Sequence, residues 1–260
     1  MTHLRTIRTL AVSLTCMASF GWPPPAYAEA TGLAWEARIT TEGSAPETMR
    51  VLTAGQRFKI LRPEGGTEYL VRLDRDEMYF IDARKRTYQK VKLSDLERAA
   101  ASARTQLQAA VRHMQKELQQ LPPEQRRLLE HMVSERGAAG AKAEVRKTGV
   151  TKTIAGYPCV EYVAEVAGKA VLKACTTDKI AAFERLRQDW LSVQQRLGKL
   201  NPLGDADLRD AYGQIPGFPL ESEMGSVRAV VTKVETIAPS AAEFEVPSGF
   251  ELRPGPPLPQ

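Results

Sequence analysis

Two cysteines, two histidine–methionine pairs and a knot of carboxylates are the side chains here whose types and spacing could do chemistry. Cys159 and Cys175 have fifteen residues between them. A redox-active pair wants two residues between its sulfurs, so this spacing reads as a structural disulfide. His113-Met114 and His131-Met132 offer imidazole beside thioether, a donor set that suits copper. Both methionines, however, fall on apolar helical stripes and read as core residues, so no metal or cofactor is expected. Asp74, Asp76, Glu77 and Asp82 cluster at one turn. A calcium loop would need more oxygen ligands around a glycine, so they read as a solvated turn balanced by Arg72 and Arg75. Arg84-Lys85-Arg86, with Lys90 and Lys92, could touch anionic head groups but reads first as the charged tip of a hairpin. There is no nucleophile elbow, phosphate loop or zinc signature. No catalytic residue is assigned, and the chain is not expected to be an enzyme.

The cysteines lie in the stretch that organises the chain, Gly156 to Asp178. It reads as a β-hairpin. Setting Cys159 opposite Cys175 places Glu161 against Lys173, Val163 against Val171 and Glu165 against Lys169. The other face then pairs Val160 with Ala174, Tyr162 with Leu172 and Ala164 with Ala170. Val166-Ala167-Gly168 is left as a three-residue loop, with glycine where a left-handed residue is wanted. A slip of one residue would mix the charged and apolar faces.

A disulfide requires an oxidising compartment, and the N-terminus agrees. His3, Arg5 and Arg8 precede an apolar run from Leu10 to Trp22, and Ala26-Tyr27-Ala28 is a small-x-small cleavage site. Residues 1–28 are therefore expected to be a signal peptide, cleaved after Ala28, and the protein to be periplasmic. The run is short for a membrane span and ends at Pro23-Pro24-Pro25. Cleavage would remove Cys16 and leave 232 residues with a net charge of +3. That charge is too small to argue for nucleic acid as a partner, and at most peripheral membrane contact is expected.

The elements that would position these groups follow from periodicity. Leu33–Thr40, Thr48–Thr53, Gln56–Arg62, Thr67–Leu73, Glu77–Asp82 and Thr87–Leu93 read as six strands with short turns, an antiparallel meander. At Ser94 the period lengthens. Ser94 and Glu97 form a capping box, and Leu96, Ala100, Ala103, Leu107, Val111, Met114 and Leu118 make the stripe of a long helix. Pro122-Pro123 ends it, and a second helix is expected to Arg136. Residues 94–136 thus read as a helical hairpin inserted between strands. A strand from Ala143 leads to the disulfide hairpin, and a helix spans Asp178–Leu197. Strands at Pro219–Met224 and Val227–Ile237 follow. The Pro-rich end, 253–260, is expected to be disordered.

The segments RFKI, LDRDEMYFIDARKRTYQKV, LPPEQRRLLEHM, AGYPCVEYVAEV and FEVPSGFE together resemble an uncharacterised family of exported bacterial proteins. Its fold is similar to the LolA/LolB lipoprotein-carrier superfamily. The resemblance implies an α+β fold over residues 29–252: a strongly curved antiparallel sheet, an open half-barrel, crossed by the helical hairpin and the further helix. It implies an apolar hollow lined by Trp35, Phe58, Tyr69, Val71, Tyr79 and Ile81. The expected function is a binding or carrier module for an apolar, lipid-like ligand in the cell envelope. The alternative is a non-enzymatic accessory protein that presents residues 94–136 to an envelope protein partner.

Overall fold

The computed structural model describes residues 31–62, 66–120, 122, 143–166, 168–200 and 211–254. The expected leader, the second helix of the insertion and the end of the tail lie outside the described residues. Six strands form the first meander: β1 (Gly32–Thr41), β2 (Glu47–Ala54), β3 (Arg57–Arg62), β4 (Thr67–Arg72), β5 (Glu77–Asp82) and β6 (Thr87–Lys92). Each pairs antiparallel with the next. Turn residues at each connection keep the loops short, which is why sequence neighbours become sheet neighbours.

Helix α1 (Leu93–Gln119) follows directly. Its run of Ala, Leu, Gln and Arg has high helix propensity, and 27 residues make a rod of about 40 Å. The capping box expected at Ser94 is not formed. The helix starts at Leu93, and the Ser94 hydroxyl instead donates to Asp76 at 2.6 Å, tying α1 to the β4–β5 turn. Only Leu93 and Ala100 of α1 are buried, so the helix meets the sheet with its first two turns and then leaves it.

The second half of the sheet comprises β7 (Ala143–Ile154), β8 (Tyr157–Val166), β9 (Lys169–Thr177), β10 (Phe218–Met224) and β11 (Val227–Ile237). Helix α2 (Ala181–Lys199) lies between β9 and β10 in sequence. β11 returns to pair with β1, which joins the two halves into one sheet of 12 strands. The last strand, β12 (Glu251–Leu252), pairs parallel with β6. The spatial order is β12-β6-β5-β4-β3-β2-β1-β11-β10-β9-β8-β7, so the sheet is curved but never closes. This is the expected α+β open half-barrel. Register shifts in β1–β11, β7–β8 and β9–β10 supply local bends. Among the described residues, no helix is long and apolar enough to cross a membrane.

The disulfide Cys159–Cys175 is formed, with Cα atoms 5.4 Å apart. Its hairpin register corrects the expectation. Cys175 pairs with Glu161, not Cys159, and Val163 pairs with Lys173. The bridge is therefore diagonal, two residues off direct opposition, and Val166 pairs with Lys169 to close the turn. From Val160 to Ala164 the shift is two, which keeps those side chains on their faces, so alternation alone does not separate the registers there; an irregularity between Ala164 and Glu165 reduces it to one at the turn. The acids find partners on β7 instead: Glu165 with Arg146 at 2.8 Å and Glu161 with Lys152 at 3.5 Å. Lys152 also reaches Glu221 on β10 at 2.7 Å. β7 and β10 would stand roughly 14 Å apart in a flat sheet, so that ion pair reports strong curvature.

Candidate functional site

The sheet has two covered faces, and the strand pairing shows which side chain belongs to which. Tyr69 pairs with Phe80 and Val71 with Met78, while Leu70 pairs with Tyr79 and Glu68 with Ile81. Partners across a ladder share a face, and neighbours along a strand do not. Tyr69, Val71, Met78 and Phe80 therefore point to the inner face, where α2 lies. Leu70, Tyr79 and Ile81 point to the outer face.

The outer face at β2–β6 is covered by the C-terminal segment. A single 3-10 turn at Ala241–Phe244 carries Phe244, which packs on Ala54, Leu70, Tyr79 and Ile81 with Val246 and Phe250 beside it. Arg72, 5% exposed, fastens this strap. Its guanidinium donates to the Phe244 carbonyl at 3.1 Å, to Glu245 at 2.6 Å and to both oxygens of Asp74 at 2.9 and 2.7 Å. Arg75 adds a second cation at Glu245, 2.9 Å away. The turn acids are thus balanced by Arg72 and Arg75 as expected, but the balance includes a glutamate 170 residues away from Arg75. Burial pushes the Glu245 carboxyl up, and the two arginines outweigh it and hold it low. The start of the tail is ordered rather than free: the Arg253 amide donates to the Tyr88 carbonyl at 2.8 Å.

The inner face holds a different arrangement. Helix α2 carries Phe183, Leu186, Trp190, Val193 and Leu197 on one side at spacings of three and four, and that side faces the sheet. Trp190 is its pivot. The indole lies edge-on to Trp35 of β1, 6.4 Å from Phe58 and 6.5 Å from Phe183, centroid to centroid. At the far end of α2, Arg196 donates to Glu97 of α1 at 2.8 Å and to Asp76 at 2.6 Å. Hydrogen bonding from Ser94 and the charge of Arg196 hold the Asp76 carboxyl below the usual range.

Between α2 and the sheet lies an apolar hollow of about 220 Å³. Strands β1 to β4 contribute Trp35, Ala37, Met49, Val51, Phe58, Ile60 and Val71. β11 adds Ala229 and Val231, and α2 adds Trp190, Val193 and Leu197. Three polar side chains also reach it: Gln194, Tyr212 and Ser222. Burial pushes the Tyr212 phenol up, so it stays neutral. Gly217, with φ of +79°, turns the chain between Tyr212 and β10, and a Cβ there would stand 2.6 Å from the Thr177 carbonyl oxygen. No charged side chain is among the described residues that line the hollow. A larger opening of about 720 Å³ beside Asp82, Lys85, Thr87 and Arg253 is a surface groove with a charged rim.

Of the six residues expected around one hollow, the structure brings together Trp35, Phe58 and Val71. Tyr69 is on the same face but packs edge to face on Phe80, centroids 5.8 Å apart, outside the lining. Tyr79 and Ile81 are on the other face, under Phe244. Placing all six together overlooked the strap, which makes residues of both parities buried on β4 and β5. The polar group of Gln194, Tyr212 and Ser222 was missed, because these residues are far apart in sequence and share no motif. The outward stripe of α1 does not cover the hollow: Leu107 is 39% and Met114 42% exposed, and α2 alone among the described helices forms the roof. His113 pairs with Glu117 one turn along at 3.4 Å, and His131 lies outside the described residues.

Residues 101–250 match the model of a family described as a domain of unknown function, DUF4412. No curated protein matches the chain. Among solved structures, the chain is similar to PNGF-II at 10% identity, covering 87% of this chain and 31% of that one, with a TM-score of 0.36. It is similar to the Pseudomonas aeruginosa MucA/MucB complex at 11% identity, covering 86% and 58%, with a TM-score of 0.39. For MucB alone the identity is 12%, the coverage 86% and 60%, and the TM-score 0.37. This chain spans between 31% and 60% of the length of those solved chains.

Proposed function

The chain belongs to the DUF4412 family, a domain of unknown function, and on that premise we propose that it is a non-enzymatic binding or carrier module for an apolar, lipid-like ligand in the cell envelope. One observation carries this reading: the hollow of about 220 Å³ between α2 and the inner face of the half-barrel. A small barrel normally fills its interior with side chains. Here aromatic and branched walls stand apart around a space of roughly seven water volumes, taking ~30 Å³ for each. Apolar walls hold water poorly, so transferring an apolar chain from solvent into that space is favourable. The disulfide supports export to an oxidising compartment, which we read as the periplasm, with residues 1–28 as the leader.

The volume also bounds the ligand. Pockets that enclose a drug-sized molecule run from about 300 to 1,000 Å³. The hollow as it stands takes one short chain, and α2 must lift for anything larger. The hinge for such a lift is the end of α2 held by Arg196, the polar link between the roof and the β4–β5 turn. The test is organic extraction of the protein purified from cells that export it, followed by lipid mass spectrometry. One apolar molecule per chain is expected. A clean blank from folded, disulfide-bonded protein that also fails to take up an added apolar dye would sink the carrier reading.

A second reading rests on α1. The exposed Leu107 and Met114 lie on one stripe of a helix that projects from the sheet. An envelope protein with an apolar groove could receive that stripe. Crosslinking from position 114 in living cells separates the two: a single dominant adduct that Met114→Glu abolishes favours an accessory protein.

A further inference from the structure

The polar group in the wall specifies more than an apolar ligand. Resting on the binding reading above, the geometry points to an uncharged amphiphile: an alkyl chain in the hollow with a hydroxyl, carbonyl or amide head at Tyr212, Ser222 and Gln194. Three observations carry this. The rest of the described lining is apolar, so among it a head group has these three side chains to make hydrogen bonds with. No lysine, arginine, aspartate or glutamate is among the described lining residues, so a carboxylate, phosphate or ammonium would be desolvated without a counter-charge. That penalty is far larger than for a neutral hydroxyl or amide, which needs only a hydrogen-bond partner. Finally, the group offers both roles. Ser222 and Tyr212 are hydroxyls that donate and accept, and the Gln194 amide carries an acceptor oxygen and a donor nitrogen. A neutral head group among them can donate to or accept from each, and none of its own polar atoms is stranded.

The position of the group gives the ligand a direction. Tyr212 and Ser222 belong to the β10 side, while Phe58, Ile60 and Val71 lie across β11, β1 and β2 from them. The head then sits by β10 and the chain runs under Trp190 toward β4. Matched ligands that differ only in the head test this.

The experiment titrates the protein by calorimetry with 1-octanol, with octanoate at pH 8 and with octylammonium, and follows displacement of the uncharged dye N-phenyl-1-naphthylamine. The expected result is octanol binding at least tenfold tighter than either ion. Tyr212→Phe and Ser222→Ala should each weaken octanol about three- to tenfold and weaken the dye by less than twofold. Dye binding in both variants also shows that they fold, and the smaller Ser222→Ala change keeps the test decisive if Tyr212→Phe disturbs packing. Octanoate binding as tightly as octanol, or octanol affinity indifferent to both substitutions, overturns the head-group assignment while the carrier reading stands. If neither the dye nor any of the three compounds binds, both fall together.

Discussion

The indole of Trp35 on β1 meets that of Trp190 on α2 edge to face, with ring centroids 5.6 Å apart and planes at 76°. This contact joins the roof of the hollow to its floor, and Phe218 also meets Trp35, at 5.4 Å. Edge-to-face pairs of this kind add about 0.5–1.5 kcal/mol beyond the area they bury. Trp190→Ala removes the link and enlarges the space. Trp190 is half-buried, so this should cost about 3 kcal/mol in denaturant unfolding, the low end of the range for a buried aromatic truncated to alanine. Dye capacity should rise. Ala37→Leu, on the floor, should do the reverse: dye affinity should fall at least fivefold, with stability changed by about 1 kcal/mol or less because the added carbons enter a void.

The bridge between Cys159 and Cys175 closes a loop with a sequence separation of 16. In the chain-entropy model this is worth about 3 kcal/mol. The Cys159→Ser/Cys175→Ser double variant should lose that much in denaturant unfolding. Wild type measured in reducing buffer should match it, and an intact-mass difference of two hydrogens should distinguish the oxidised form.

Arg72 holds the C-terminal strap to β4. Removing one partner of a buried ion pair leaves charge uncompensated, at about 3–5 kcal/mol when both groups are deeply buried. Asp74 and Glu245 have 37% and 44% of their side chains exposed, so water screens much of that. Arg72→Ala should therefore cost about 2 kcal/mol. Hydrogen exchange should show the loss first in residues 241–253, with α2 and the hollow retaining protection and dye binding. Equal loss of protection across the whole sheet would refute the strap as a separately fastened element.

Acid stability should follow the two aspartates of the β4–β5 turn. Asp74 is held below the normal carboxylate range by hydrogen bonding from Arg72, and Asp76 by Ser94 and Arg196. Their folded pKa values lie beneath the unfolded value of about 3.9. They thus stabilise the protein above that pH, and the contribution is lost as pH falls through the folded values. Unfolding free energy should decline below about pH 4, and Asp76→Asn should flatten that decline while lowering stability at pH 7. An unchanged acid limb in Asp76→Asn would show that Arg196 and Ser94 do not act through this carboxylate.

Much of the fold was written in local pattern. Alternation and turn residues fixed the six strands of the meander to within a residue or so, because each hairpin is decided by a few adjacent side chains. The spacing of Cys159 and Cys175 determined the disulfide, and the 3.6-residue stripe of α2 determined which side it buries. Tertiary structure decided the rest. Around the cysteines the hairpin register moved by two, since alternation has period two and direct opposition of cysteines is only one way to bridge them. Ser94 caps nothing because Asp76, brought close by the β4–β5 turn, competes for its hydroxyl. Tyr79 and Ile81 face away from the hollow because they pair with Leu70 and Glu68, and Phe244, more than 160 residues later, buries them on that outer face. Gln194, Tyr212 and Ser222 came to line one hollow only when β10 was laid beneath α2. A single residue's environment depends on its neighbours along the chain where contacts are local. The contents of a cavity depend on elements that meet only after the sheet has curved.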